Sequence, residues 1–372
     1  MDLRLLERAL ELARANAHIT PPNPSVGCVL TRDGQVIGEG ATQATGSAHA
    51  EVMALRDALA RGHSTQGATA YVTLEPCAHQ GRTGPCCEAL VQAGIAKVVA
   101  TARDPNPLVS GQGFEKLRAA GVEVDVLPPS HPLAVQSRDI NIGFFSRHLR
   151  GKPWVRMKIA ASLDGQTALE NGQSQWITSQ AARADGHAWR ARSAAMLTGI
   201  GTVLEDRPRL DVRDFDTPRQ PPLIVVDSRL ETPEDAPLFL ANRPVFIYTA
   251  QADSPRQPTL QARGATVVTC PGDGGKVDLA AMLTDVHQRG MAELHVEAGH
   301  KLNGSLVREG LVDEFLIYLA PTLLGAGRGM VNIGPLQNLA QGLPLSFESV
   351  ERIGPDLRVL ARVQGRSDFL HS

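Results

Sequence analysis

The apolar positions change period along the chain, and the changes mark out elements. Residues 3 to 15 repeat at helical spacing. VGCVLTRDGQVIGEG then alternates about an Asp-Gly pair and predicts a β-hairpin. Helical spacing returns from about His49 to Ala60. ATAYVTLEP predicts a strand, CCEALVQAG a short helix ending at Gly94, KVVATA a strand, and FEKLRAAGVEVDVL a helix and strand. Alternating strands and helices over about 130 residues predict an α/β layered unit. INIGFFSRHLRGKPW interrupts the pattern with a basic, Gly- and Pro-containing stretch at Arg147 to Pro153, and the expected boundary divides residues 1–146 from 147–372. Beyond it the alternation restarts through VRMKIAAS, a helix near 179 to 192, AAMLTGIG, PLIVVDS, PVFIYTA, ATVVTC, ELHVEAG and FLIYLAP. These continuous apolar runs predict strands buried on both faces, hence a mainly parallel sheet. No internal repeat is visible.

Composition narrows the classes. The chain has 372 residues, 42% apolar and 20% charged, with a formal net charge of −2. That balance argues against general nucleic-acid binding and against a disordered charged tail. No apolar run is long enough to span a bilayer, and the N-terminal helix mixes acids and bases unlike a secretory signal. A cytoplasmic protein is expected. Five cysteines, three of them between Cys77 and Cys87, fit a metal or redox site better than a disulfide framework.

GSAHAEVMAL opens the second helix. Ser47 could cap it, but Ala50 then stands where a capping box needs Glu or Gln. A positive helix end keeps His49 neutral, the form that binds metal. Downstream, Cys77 ends a strand and Cys86 begins a helix, whose N-terminus favours a thiolate at Cys86. His49, Cys77 and Cys86 make three ligands and leave a fourth position for water, the pattern of a catalytic zinc site. Side chains two apart on a helix point about 200° apart, so Glu51 shares the site only if the site lies off the helix end. Glu51 is then free to move protons. Cys28 reads as a small core residue, periodicity does not choose between Cys86 and Cys87, and His79 reads as a substrate contact or a loop histidine.

His-x-Glu followed by Pro-Cys and a second Cys resembles the zinc-dependent nucleobase deaminases. The longer loop PCAHQGRTGPC, with TPPNPSVGCVL and RDPNP, resembles the deaminase of riboflavin biosynthesis, with Gly84 where a second proline is usual. The resemblance implies Cys86 as the ligand, and Asn23, Asp104 and Asn106 as substrate-binding residues.

The second half carries no GxGxxG after a strand, so a dinucleotide would not be held by a standard Rossmann turn. Lys158 is one of six lysines against thirty-one arginines, inside a strand whose other face is Val155, Met157 and Ile159. Alone it reads as a snorkelling lysine on a strand edge. ELHVEAGHKLNGSLVREG ends a strand at Glu297 and turns through glycine into a helix, a phosphate-accepting geometry. LTGIGTVLEDRPRLDVR offers Gly199, Gly201, Thr202 and Asp206. With KIAASLDG, SQWIT, VVDSR, VEAG and APTLLGAG, this half resembles the reductase of the same pathway, a relative of the dihydrofolate reductase fold.

The whole chain is thus similar to the bifunctional riboflavin-biosynthesis deaminase/reductases. The implied fold is a cytidine-deaminase-like three-layer α/β domain followed by a dihydrofolate-reductase-like domain. The resemblance implies NADPH contacts at Ala160, Trp176, Thr202, Asp206 and Ser228, and at Gly299, His300, Lys301, Leu302, Asn303, Gly304 and Ser305. It implies substrate contacts at Ser174, Arg190, Leu210, Arg213 and Glu297, the arginines suiting a phosphate. Ala298 and Gly201 depart from the usual residues. Lys158 and Glu297 are the candidates to polarise or protonate the sugar.

The implied cofactors are one zinc per chain and NADPH. The implied substrate is a pyrimidine nucleotide, 2,5-diamino-6-ribosylamino-4(3H)-pyrimidinone 5′-phosphate, deaminated and then reduced from ribosyl to ribityl. A homodimer or larger homo-oligomer is expected, with neither nucleic acid nor membrane as partner. The rivals are a nucleobase or tRNA deaminase with a degenerate C-terminal domain, and a non-enzymatic zinc protein. The second needs four good protein ligands, and the sequence offers three.

Overall fold

In the computed structural model, which describes residues 2–78, 84–107 and 109–371, the chain forms two compact units. The first comprises residues 1–151 and 368–372, the second residues 152–367. The expected boundary at 146/147 falls inside a helix. Ile142–Arg150 continues to Gly151, which closes it in the left-handed conformation, so the basic stretch is partly helical and the division follows it.

The first unit is three layers. Its sheet contains β1 (Gly27–Arg32), β2 (Gln35–Ala41), β3 (Thr69–Val72), β4 (Lys97–Ala100) and β5 (Glu123–Val126) in the order β2-β1-β3-β4-β5. β1 and β2 form the expected hairpin. Asp33 and Gly34 at its turn both take positive φ, as a two-residue primed turn requires. β3, β4 and β5 run parallel.

Alternation along β1 supplies both faces. Val29 packs in a core with Leu6, Leu10, Val99 and Leu133, under α1 (Leu3–Asn16) and α5 (Pro132–Ile140). Cys28 and Leu30 pack on the other side, with α2 (Ala50–Ala60), α3 (Cys86–Gln92) and α4 (Gln112–Ala119). The remaining helix, α6, is Ile142–Arg150. α2 lies close on β2 because both surfaces are small. Ala54 and Ala58 face Gly38 and Gly40, where an added Cβ would meet helix backbone at 2.4 and 2.3 Å.

The second unit is built on nine strands among the described residues, ordered β11-β10-β9-β8-β12-β6-β13-β16-β15. They are β6 (Trp154–Ser162), β8 (Ala195–Gly199), β9 (Leu223–Val226), β10 (Val245–Thr249), β11 (Ala265–Thr269), β12 (Glu293–Val296), β13 (Glu314–Ala320), β15 (Leu345–Ile353) and β16 (Asp356–Val363). β7 (Gln166–Leu169) and β14 (Gly327–Gly329) form a small separate ribbon. The sheet is parallel from β11 to β13 and closes with antiparallel β16 and β15. Helices α7 (Gln180–Arg192), α8 (Ile200–Asp206), α9 (Gln257–Ala262), α10 (Leu279–Gln288) and α11 (His300–Arg308) connect the strands.

After β6 the chain winds outward from β8 to β11, then returns to lay β12 between β8 and β6. That reversal is a topological switch point. The carboxyl ends of β8 and β12 diverge there into α8 and α11, leaving a crevice of the kind that holds ligands in open α/β sheets.

Candidate active sites

In the first unit His49, not Ser47, is the N-cap of α2, with extended backbone and no side-chain capping bond. Its ring therefore stands off the helix end, which meets the geometric condition for sharing a site with Glu51. Nδ1 of His49 lies 3.3 Å from Cys86 Sγ and 3.6 Å from Cys77 Sγ. One ligand atom from each of the three residues lies within 4.8 Å of the others. One imidazole nitrogen and two sulfurs converging in this way fit a zinc ion bound by three protein ligands.

Adjacent cysteines leave α3 in different directions. Cys86 faces the cluster, whereas Cys87 is buried in the apolar core beside Leu90 and Phe114. The helix N-terminus serves the other thiol from the one expected. The Cys86 backbone N–H donates to Cys77 Sγ at 3.3 Å. Cys77 is pulled down to about 4, chiefly by its hydrogen bond with the Cys86 side chain, while that neighbour and burial push the Cys86 thiol up.

Glu51 is 3% exposed. Burial is the largest cause raising its carboxyl to about 7, with the Cys77 charge adding to it. A carboxyl tuned to neutrality beside metal ligands suits proton transfer. Asp104 is buried and Asn106 half-buried, with the Asn106 N–H donating to Asp104 Oδ1 at 2.8 Å. Asn23 is half-buried in the turn before β1. His79 lies outside the described residues.

The sequence reading missed Glu75, two residues before Cys77. It is buried and accepts from the backbone N–H groups of Asp104, Gly111, Gly113 and Phe114.

In the second unit the switch-point crevice opens into a cleft of about 1820 Å³. Ala160, Trp176, Thr202, Asp206 and Ser228 all line it, as do Gly299, His300, Lys301, Leu302, Asn303 and Ser305. Gly304 does not. It faces the backbone of Asn332, and a Cβ there would meet the Asn332 carbonyl at 1.9 Å. Gly304 thus serves helix packing rather than contact across the cleft. Gly299 caps α11 without a side-chain bond to the first-turn N–H groups. That leaves backbone donors at the mouth of the cleft, where a pyrophosphate fits. The residues present fit a dinucleotide cofactor.

Lys158 sits on β6, an interior strand between β12 and β13, so it is not a strand-edge lysine. It lines the cleft, and its Nζ stands 3.8 Å from Glu297. Burial lowers its pKa, Glu297 opposes that shift, and Arg190 adds to it. Arg190 grips Glu297 with two bonds of 2.5 and 2.9 Å and donates to the Asp211 carbonyl. Three of its five N–H donors are thereby engaged, and both Arg190 and Glu297 line the cleft. Arg213 and Arg209 both pair with buried Asp211, at 2.6 and 2.7 Å, and both line the cleft. Arg209 went unread, although one acid between two arginines in Arg209-x-Asp211-x-Arg213 is a visible signal. His187 on α7 was also unread. Its ring is held down to about 4, first by burial and then by the Arg190 charge. Ser174 and Leu210 line the same cleft.

Residues 153–359 match the RibD C-terminal domain, and residues 1–102 match the cytidine and deoxycytidylate deaminase zinc-binding region. The riboflavin biosynthesis protein RibD of Escherichia coli K12 is 41% identical, over 96% of this chain and 98% of its own. That of Haemophilus influenzae is 40% identical, over 98% of each. The solved RibD of Acinetobacter baumannii, form 1, has a TM-score of 0.87 at 40% identity, covering 97% of this chain and 98% of its own. A Thermotoga maritima structure, a diaminohydroxyphosphoribosylaminopyrimidine deaminase/5-amino-6-(5-phosphoribosylamino)uracil reductase, has a TM-score of 0.83 at 30% identity, with the same coverage.

Fold and sites define a two-domain enzyme, a zinc-binding deaminase joined to a reductase. The degenerate C-terminal domain is not favoured, because the similarity runs through both halves. The chain belongs to the RibD family of bifunctional riboflavin-biosynthesis deaminase/reductases.

Proposed function

We propose that the first unit hydrolyses the 2-amino group of 2,5-diamino-6-ribosylamino-4(3H)-pyrimidinone 5′-phosphate, and that the second reduces the ribosyl group of the resulting 5-amino-6-(5-phosphoribosylamino)uracil with NADPH. The observation that carries the first step is the convergence of His49, Cys77 and Cys86 beside a buried, near-neutral Glu51. His49, Cys77 and Cys86 hold one zinc per chain, which when bound supplies Lewis acidity toward water. Glu51 takes up a proton and returns it to the departing ammonia. Asn23, Asp104 and Asn106 orient the nucleotide.

In the second unit the first turn of α11 receives the pyrophosphate of NADPH, which supplies hydride when bound. Thr202, Asp206, Ser228, Ala160 and Trp176 line its path. Lys158, held against Glu297, donates a proton or hydrogen bond to the opening sugar. Arg190 fixes Glu297, while Arg213 and Arg209 meet the substrate phosphate from Asp211. NADPH is preferred over NADH.

The test is Glu51→Gln, which keeps shape and removes the proton shuttle. Deamination should fall by about 10²–10⁴-fold with zinc retained, while reduction of the supplied deaminated compound continues. Mass analysis of both products reads the two steps separately. A normal deamination rate would make Glu51 merely a helix-start acid.

The proposed setting is cytoplasmic and homodimeric. Among the described residues no helix is long and apolar enough to cross a membrane. The terminal strand β15 leaves Phe347 and Val350 exposed, an edge that a second copy would cover. Light scattering on Phe347→Lys should report a smaller particle than the parent chain does.

A further inference from the structure

We propose that Glu75 is a positioning residue of the deaminase, acting through the loop that carries Asp104 and Asn106. The inference rests on the reading that this loop contacts the nucleotide.

Glu75 stands where β3 has ended and the metal-binding stretch begins. Its carboxylate is buried, and both oxygens are used by backbone donors. Oε2 accepts from Asp104 at 3.2 Å and Gly111 at 3.0 Å. Oε1 accepts from Gly113 at 2.9 Å and Phe114 at 3.4 Å. Gly111 is the N-cap of α4, in the left-handed conformation and without a side-chain cap of its own. An acid from elsewhere in the chain therefore performs the capping. The negative charge also faces the positive end of that helix.

The bonds form a closed circuit. Glu75 holds the Asp104 N–H, and Asp104 Oδ1 holds the Asn106 N–H at 2.8 Å. The Asn106 carbonyl accepts from Val109 and Ser110, each at 2.8 Å. The next residue, Gly111, returns to Glu75. Asp104 and Asn106 are thus tied to one buried carboxylate.

The same helix also grips the far side of Cys77. Lys116 Nζ donates to the Ala78 carbonyl at 2.7 Å. Gly113 sits so close to Pro76 that a Cβ there would meet its carbonyl at 2.0 Å. Residues 75, 76 and 78 are therefore seated on α4 around the metal ligand. Glu75 registers the nucleotide loop against Cys77, so that substrate and metal share one frame. A carboxylate suits the task because it presents four lone-pair directions and no donor. An amide in its place would set an N–H₂ group against backbone N–H groups.

The test is Glu75→Gln in the full-length zinc-loaded protein, with Glu75→Asp beside it. Glu75→Gln should raise the deaminase KM by about tenfold, the scale of one buried charge-assisted hydrogen bond. The kcat, zinc content and NADPH oxidation on the deaminated compound should be nearly unchanged. Amide exchange at Asp104, Gly111 and Gly113 should accelerate. Glu75→Asp retains both acceptors and should recover most of the KM. It also supplies the measurement if the Gln variant does not fold, through a smaller rise in KM. An unchanged KM in both variants overturns the proposal, and so does a fall in kcat that tracks zinc loss. If the parent protein does not deaminate, the proposed activity fails instead, and amide exchange alone decides whether Glu75 orders the loop.

Discussion

Neighbouring side chains in this protein do separate jobs because helix geometry sends them apart. Cys86 and Cys87 differ by one position on α3, yet one joins His49 and Cys77 while the other packs in the core. Cys86→Ser should therefore lose zinc and Cys87→Ser should keep it. Elemental analysis of the two purified variants checks this, and equal loss would put the wrong thiol in the site. Lys158 offers the parallel case in the second unit. Its ammonium, with a pKa lowered by burial, stands 3.8 Å from the Glu297 carboxylate that Arg190 also holds. Lys158→Met should slow reduction by about 10²-fold or more and leave NADPH binding intact, as fluorescence titration would report. Equal losses of binding and turnover would make Lys158 a cofactor contact instead.

At the scale of elements, positioning depends on close backbone approach. Gly40 lets α2 lie on β2, and α2 carries Glu51 with His49 at its cap. Gly40→Ala would drive a methyl group against Ala54 N and Ala50 O. Such overpacking costs about 1–3 kcal/mol, and zinc should exchange faster because the helix holding His49 must shift. Thermal melting and transfer of zinc to a chelator measure the two effects.

What the sequence made legible follows the range of the interaction. The β1–β2 hairpin, α1, α2 and most buried strands were readable because their apolar periods and turn residues are local. So was the metal cluster, whose members fall in short motifs. Helices α5, α6, α8, α9 and α10 and strands β7, β14, β15 and β16 were not read. β15 is exposed along most of its length, so no apolar run marks it. β16 interleaves Arg358 and Arg362 with its apolar positions, each paired with an acid. Glu75 escaped for a different reason. Its partners are backbone N–H groups 29 to 39 residues away, and any residue type can supply those.

At the scale of the molecule, the two units hold their sites independently. The candidate metal ligands all lie in the first, and every residue lining the switch-point cleft lies in the second. Removing zinc with a chelator should lower the melting transition of the first unit, since its three ligands then lose their common partner. The rise in melting that NADPH gives the second unit should persist. Calorimetry with and without each ligand would read both, and a loss of the NADPH effect on chelation would contradict the separation.

After the second unit, residues 368–372 rejoin the first. There Leu370 is fully buried, its carbonyl bonded by Arg138, and the Arg150 guanidinium lies over the Phe369 ring. The reductase is thus a guest spliced into its host, entered and left through the same neighbour. A chain cut before Asp368 would retain every residue lining the reductase cleft. It would lose a plug worth about 1.5–3 kcal/mol for the leucine alone from the domain encoded first. A genetic screen should therefore score nonsense changes at codons 368 to 370 as defects in the opening reaction. A map that assigned activities by codon order would place them in the wrong enzyme.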